Sequence, residues 1–218
     1  MIEINKRNIT IILFLWVYTV LFSLNMIVTQ LLIDGILKFP NPILIMFYFD
    51  IEHNAPTVFS SLILGVNSLL LFNIYKKGKE KKWAVLSAIF FYLMIDESMK
   101  IHENIHFDSI SNASSYLYFS WVIAGLSFVS IIGIMYLKSV LKLRKDIRNG
   151  FFISFFLFIF AAIGLDSLGA HFYIENGKVF GANYRYLVAL EESLEMLSMI
   201  YFMFNLFNLY ELTVKVEK

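Results

Sequence analysis

The sequence predicts an all-α integral membrane protein, a bundle of six transmembrane helices with both termini in the cytoplasm. Two observations about composition support this fold class. Hydrophobic residues make up 59% of the 218 residues and charged residues only 16%, whereas a soluble domain carries roughly 25% charged residues. The apolar residues also gather in long stretches, and the basic residues gather between them. We expect one transmembrane domain covering residues 1–218.

Six stretches are long enough to cross a bilayer, which takes about 20 mostly apolar residues. The first stretch follows Lys6 and Arg7 and so begins like a signal peptide. Its apolar run is longer than the roughly 7–15 residues of a signal sequence, and no small-residue cleavage site follows it. We therefore expect it to remain as the first span. The predicted spans are 9–33, 56–75, 83–100, 114–137, 150–173 and 184–212.

The orientation follows from the distribution of lysine and arginine. With the N-terminus in the cytoplasm, the inner segments would be 1–8, 76–82, 138–148 and 211–218, and they hold most of the 18 basic residues. Such an excess is typical of cytoplasmic loops. The lysine-rich segment 76–82 is therefore interpreted as a topology signal, and we predict no nucleic-acid partner. The basic residues left on the outer side are Lys38, Lys100, Lys178 and Arg185.

The longest connection, 34–55, joins the first two predicted spans on the outer side. It contains Pro40, Pro42 and the aromatic run 47–49. So apolar a segment would not remain in water, because exposed apolar surface is unfavourable. We expect it to pack at the outer surface as a re-entrant or interfacial segment.

Ionisable residues concentrate at the outer side of the predicted bundle. All four histidines lie there, and six acids fall within the outer third of the spans. A charge at membrane depth costs about 2.5–3.5 kcal/mol on insertion scales, and such residues are functional by default. The six acids are Asp96, Glu97, Asp166, Glu191, Glu192 and Glu195.

Helical spacing predicts which of these side chains share a face. At about 100° per residue, Asp96 lies on the face of His102, Glu103 and His106, and Glu97 points away from it. Glu191 and Glu195 are four residues apart, with Glu192 between them in angle. Ser167 and His171 are also four apart, next to Asp166, and His53 precedes the second span.

Carboxylates at one depth must be protonated, paired with cations or neutralised by a metal ion. The chain has no cysteine, and a mixed Asp, Glu and His set without cysteine suits zinc, iron or manganese. Glu103 and His106 have the Glu-x-x-His spacing of di-iron carboxylate bundles. We predict a divalent metal site with Glu192, Glu195 and Ser167 as catalytic groups. The predicted ligands are Asp96, His102, Glu103, His106, Asp166, His171 and Glu191.

Two simpler interpretations remain open. His102, Glu103, His106 and Asp108 would be solvated if they lie in an outer loop. In the second interpretation, buried polar residues only form hydrogen bonds between helices.

Two patterns resemble signatures of small, uncharacterised prokaryotic multi-pass membrane proteins. They are Ile95-Asp96-Glu97 followed by Ile101-His102-Glu103, and Glu191-Glu192-x-x-Glu195-Met196; the resemblance implies no activity. Ser167-x-x-x-His171 is similar to the spacing in ceramidase and adiponectin-receptor-like membrane hydrolases, which place Ser, His and Asp around zinc. Those proteins have seven spans and a His-x-x-x-His pair on the last one, unlike this chain.

The function that these patterns favour is a membrane-embedded metal-dependent enzyme, a hydrolase or a di-metal oxidoreductase, acting on a lipid or lipid-linked substrate at the outer leaflet. Two alternatives remain: a cation or proton channel or transporter, because acids select cations, and a non-catalytic sensor or scaffold subunit. A homo-oligomer is compatible with each. The sequence contains no glycine-rich phosphate loop and no Gly-x-Ser-x-Gly motif.

Overall fold

The computed structural model describes residues 6–51, 53–99, 101 and 114–216, and within these ranges the regular structure is entirely helical. A 3-10 turn, Ser115–Leu117, precedes the fifth helix, and a π-helical segment, Phe160–Leu165, joins the sixth to the seventh. The helices are α1 (Lys6–Ile33), α2 (Pro42–Phe47), α3 (Ala55–Gly78), α4 (Lys81–Met99), α5 (Trp121–Leu141), α6 (Lys145–Ile159), α7 (Asp166–Glu175) and α8 (Ala182–Val216).

Four helical stretches of the described chain are long and apolar enough to cross a membrane: Arg7–Ile33, Ala55–Gly78, Trp121–Leu141 and Lys145–Glu175. The last of these runs without a break through α6, the π-helical segment and α7. The chain is therefore a helical protein with the character of a membrane protein. Helices α4 and α8 coincide with the third and sixth predicted spans, but acidic side chains on both lower their hydropathy.

Local sequence signals determine both ends of α3. Asn54 caps α3 by accepting a hydrogen bond from the Thr57 backbone N–H at 3.1 Å, and Pro56 occupies the first turn. At the other end of α3, Lys79 adopts a left-handed conformation with φ of 56°. This conformation reverses the chain at once, so α4 begins at Lys81 and packs antiparallel along α3.

Helix α8 lies at the centre of the bundle and packs against α1, α3, α6 and α7. Its side chains Met196, Met203 and Leu206 are buried in the core. Hydrogen bonds supplement this apolar packing, as is usual where helices meet in lipid. The Asn67 amide on α3 donates to the Met199 carbonyl at 3.1 Å, and Ser68 and Ser87 join α3 to α4.

The connection between α1 and α3 folds back onto the bundle. Leu44, Tyr48 and Phe49 are buried. The Phe49 N–H donates to the Asn25 side-chain oxygen of α1 at 3.0 Å, and the Asn54 amide donates to the Tyr48 carbonyl at 2.8 Å. The segment thus packs against the bundle, and it places the residue after Phe49 against the interior.

Candidate functional site

A cavity of about 650 Å³ lies between α3, α4, α5, the α6–α7 stretch and α8, near the end of the bundle where α4 ends and α8 begins. We call it the carboxylate cavity. None of the described residues that line it is basic. Its size falls within the range of small-molecule sites, about 300–1,000 Å³. Seven acids line it: Asp50, Asp96, Glu97, Asp166, Glu191, Glu192 and Glu195.

The last turns of α4 supply two adjacent acids to this cavity. Asp96 is buried, and Glu97 accepts a hydrogen bond from the Ser60 hydroxyl of α3 at 2.5 Å. Glu97 was expected to point away from the face of Asp96, His102, Glu103 and His106; the last three lie outside the described residues, and Glu97 lines the cavity together with Asp96. The cavity is broad enough for two neighbouring positions of one helix to border it, and the Ser60 hydroxyl holds the Glu97 side chain there.

A π-helical segment positions Asp166. Phe160–Leu165 winds more widely than an α-helix, and Ala161, Ala162 and Leu165 within it are buried. Such segments are rare and are frequently found at functional sites. Because Asp166 follows the segment directly, the change in helical winding sets the direction in which its carboxylate enters the cavity.

Helix α8 contributes three acids within two turns. Glu191 and Glu195 are half-buried, and both line the cavity. Glu191 lies close enough to Asp166 for the two charges to repel each other, and Glu195 close enough to Glu97. Neither the Glu191 nor the Glu195 side chain forms a hydrogen bond or ion pair with any residue that the structure describes.

Asp50 is a cavity residue that the sequence analysis missed. It follows the buried Tyr48 and Phe49, and its carboxylate accepts a hydrogen bond from the Tyr184 hydroxyl at 3.0 Å. The available signal was an acid directly after an aromatic run in an otherwise apolar connection. That signal identifies Asp50 as a cavity residue only when the path of the connection between α1 and α3 is known.

Arg185 does not reach the cavity. Its guanidinium donates to the Tyr48 hydroxyl at 3.2 Å and lies over the Tyr48 ring, 5.8 Å from the ring centre. Burial raises the pKa of the Tyr48 hydroxyl, and the charge of Asp50 raises it further. Arg185 therefore joins α8 to the connection between α1 and α3, and it is not among the residues that line the cavity.

The structure places His171 and Ser167 outside the lining of the carboxylate cavity. The His171 ring stacks on Tyr116 with centres 4.2 Å apart, and its Nδ1 lies 2.9 Å from the Ser115 hydroxyl. Its Nε2 lies 3.8 Å from a Glu175 oxygen. Of the predicted site residues, those that the cavity brings together are Asp96, Asp166, Glu191, Glu192 and Glu195.

The predicted ligands His102, Glu103 and His106 lie outside the described residues, as does Asp108. Within the described ranges, no three His, Asp or Glu side chains are grouped closely enough to hold a metal ion by themselves. The arrangement is thus a wide, negatively charged cavity. Aromatic side chains complete its walls, among them Tyr92, Phe119, Trp121 and Phe128, and aromatic rings also favour cations.

Comparison with known proteins identifies one family. The model of a domain of unknown function (DUF8692) matches residues 10–209, which is nearly the whole chain. No curated protein and no solved structure matches the chain. The match includes all the acids of the carboxylate cavity, and the expected likeness to an uncharacterised family agrees with it. The chain therefore belongs to the DUF8692 family, whose description assigns no function.

Proposed function

We propose that the protein is a metal-dependent enzyme of the cell membrane that acts on a lipid or lipid-linked substrate in the carboxylate cavity. The observation that carries this proposal is the convergence of seven acids from four parts of the chain on one cavity, with no basic side chain among its described lining residues. Such a cavity needs a cation or several bound protons to be stable.

We further propose six spans with both termini in the cytoplasm. The Arg7 guanidinium donates to Glu211 at 3.1 Å and to Asn208 at 2.8 Å, so the start of α1 and the end of α8 lie at one end of the bundle. The turn between α3 and α4 carries the lysines of 76–82, which the positive-inside rule places in the cytoplasm. Asp96 and Glu97 lie at the other end of α4, which would be the outer side.

The donor set fits a hard or borderline divalent cation. Carboxylate oxygens suit manganese and magnesium, and they are also ligands of zinc and of non-haem iron. Because no three described side chains form a ready site, the ion would keep water ligands or take further ligands from His102, Glu103 or His106. Bound zinc would supply a water molecule that loses its proton near neutral pH.

Glu192 and Glu195 are the proposed general bases, because they line the cavity and a base must lie within hydrogen-bonding reach of the proton it takes. Glu191 and Asp166 are the proposed ligands, because both line the cavity and the Glu191 side chain has no hydrogen-bonding partner among the described residues. Ser167 and His171 are not part of this proposal. A conducting pathway receives less support, because the region of the bundle next to the cavity has an almost wholly hydrocarbon lining, which offers an ion few ligands.

Cation binding is measured by calorimetry on protein purified in mild detergent and titrated with manganese, zinc or magnesium. We expect saturable binding of at least one of them, weakened at least about tenfold in Glu191→Gln and in Asp166→Asn. Glu175→Gln is the matched control, because Glu175 is an exposed acid outside the cavity. Undetectable binding, or equal binding in all four proteins, would refute the metal site.

The enzymatic part is tested by incubating the protein with a membrane lipid extract and following the lipids by mass spectrometry. The proposal requires a product that depends on the added cation and disappears in Glu192→Gln. If the cation binds but no lipid product forms, and liposomes that contain the protein release an enclosed cation, the protein is a transporter. If neither turnover nor flux accompanies binding, a non-catalytic subunit is the correct interpretation.

A further inference from the structure

A second cavity, of about 510 Å³, lies between α4, α5 and α6. We call it the apolar cavity. Its described lining is almost wholly hydrocarbon, and only Ser130, Tyr136 and Ser154 bring polar side-chain atoms to it. Two of these are already satisfied, because Tyr136 donates to the Lys82 carbonyl at 2.6 Å and Ser154 to the Gly150 carbonyl at 2.9 Å.

The apolar cavity exists because α5 packs loosely against the bundle. Of the residues of α5, only Val122 and Tyr136 are buried. Gly133 has no side chain to fill the space in front of the Phe155 ring. The side facing the bundle core is closed by the buried rings of Phe90 and Phe151, whereas Ile134 and Phe156 of the same lining are largely exposed. The apolar cavity is therefore a groove that is closed towards the core and open on its outer side.

The two cavities are adjacent. Six residues line both of them: Leu93, Phe128, Val129, Phe158, Ile159 and Met199. A molecule that occupies both would have its polar part among the carboxylates and its apolar part between α4, α5 and α6. Glu191 and Glu195, which have no hydrogen-bonding partner in the described chain, face the polar end of this path.

We infer that the ligand of the carboxylate cavity is an amphiphile with a long alkyl chain, and that the chain lies in the apolar cavity. This inference rests on the proposed function and narrows its substrate class. From Phe128 to Val140 the lining follows α5 for about 18 Å at the helical rise per residue. That length matches one leaflet of the hydrocarbon core, about 15 Å, so an acyl or alkyl chain of ordinary membrane-lipid length fits.

An amphiphile fits because the two cavities differ in polarity, one being lined by carboxylates and the other by hydrocarbon. An alkyl chain gains free energy when it leaves polar surroundings for an apolar site, and a head group that is cationic or bound to a cation is attracted by the carboxylates. A soluble cation would use only the carboxylate cavity. A simple hydrocarbon would use only the apolar one.

The probe is a lysophosphatidylcholine whose palmitoyl chain ends in a diazirine, photoactivated on the purified full chain. We expect saturable labelling, with crosslinks mapped by peptide mass spectrometry to the apolar cavity, for example to Leu86 or Phe155. Crosslinks spread over the exposed face of α1, for example at Ile12 and Trp16, would mean that the probe is only a surrounding lipid and would overturn the inference.

A matched pair of variants on α5 sharpens the test. Ser130 and Ser127 are both exposed and lie one helical turn apart, but only Ser130 lines the apolar cavity, and Ser127 lines neither cavity. Ser130→Trp fills the space that the chain needs and should weaken saturable labelling about tenfold, while Ser127→Trp should leave it unchanged. Equal labelling of the two variants would refute the location of the alkyl chain in the apolar cavity. If Ser130→Trp does not fold, the crosslink map of the unsubstituted chain still tests that location.

Failure of this inference is distinguishable from failure of the proposed function. Ser130→Trp should still bind the divalent cation, because Ser130 does not line the carboxylate cavity. Glu191→Gln should lose cation binding, yet the crosslinks of the diazirine probe in this variant should still map to the apolar cavity. Cation binding without saturable labelling would refute the alkyl-chain site alone, and labelling without cation binding would refute the metal site alone.

Discussion

The close contact between α6 and α8 provides a quantitative test of the fold that positions the cavity. An ideal Cβ atom added at Gly150 would lie 2.0 Å from Oδ1 and 2.3 Å from Cγ of Asn205. Asn205 is only 3% exposed, and its amide donates to the Tyr201 carbonyl at 2.7 Å. The amide therefore has no free space to move into without losing that hydrogen bond.

Gly150→Ala should lower the free energy of unfolding by at least about 1 kcal/mol. Overpacking of this kind costs about 1–3 kcal/mol, and a buried amide that loses its partner costs about 1–3 kcal/mol more. The higher helix propensity of alanine returns about 1 kcal/mol. In a chain of this size, each 1 kcal/mol corresponds to roughly 2–4 °C in Tm.

Thermal unfolding in detergent, followed by circular dichroism, measures the effect. Asn205→Ala removes the clashing amide, so Gly150→Ala in that background should be neutral or stabilising. Gly133→Ala on α5 is the glycine control, because its new Cβ would lie 3.2 Å from the Phe155 ring, which borders a cavity and can turn. If Gly150→Ala does not lower Tm in the otherwise unchanged chain, α6 and α8 do not approach as closely as described.

Three further predictions concern contacts around the two ends of the bundle. Ser60→Ala removes the hydrogen bond to Glu97 and should cost about 1.5–3 kcal/mol in thermal unfolding; no change would mean that the hydroxyl does not hold the carboxylate. Because burial raises the pKa of Tyr48, its phenol ionises more readily when unfolded, so stability should fall as the pH rises above about 10. Thermal scans against pH should show a smaller fall in Tyr48→Phe, and an identical fall would contradict the burial. Arg7→Gln breaks a partly exposed pair with Glu211, so it should cost less than about 1 kcal/mol, and salt should reduce the loss.

The sequence predicted the helices well because long apolar runs depend little on tertiary detail. Each predicted span overlaps an observed helical stretch, and only the fifth helix starts clearly later than expected, at Trp121. The π-helical segment was not predicted, because its residues continue the same apolar run as α6. The loose packing of α5 was not predictable either, because a helix that is apolar all round has the same pattern whether it faces lipid or protein.

The candidate site was predicted in part, since depth along a helix can be read from the sequence but the shape of a cavity cannot. Asp96, Asp166 and Glu191 line one cavity, but no three acids or histidines of the described residues are grouped closely enough to hold a metal ion. His171 lies on a neighbouring helix, but its ring turns to Tyr116 and Ser115 in a segment whose path no periodicity encodes. Asp50 was missed for the same reason, because only the folded connection brings it to the cavity.

The most direct test of the metal site is the metal content of the protein, purified in mild detergent without chelator or affinity metal and analysed by mass spectrometry. Glu191→Ala and His102→Ala are analysed beside the unsubstituted chain. We predict roughly one or two equivalents of zinc, iron or manganese per chain, as in one- and two-metal sites, and their loss in both variants. A metal-free unsubstituted protein, or variants that retain the same metal content, would contradict the proposal that the carboxylate cavity is a metal site.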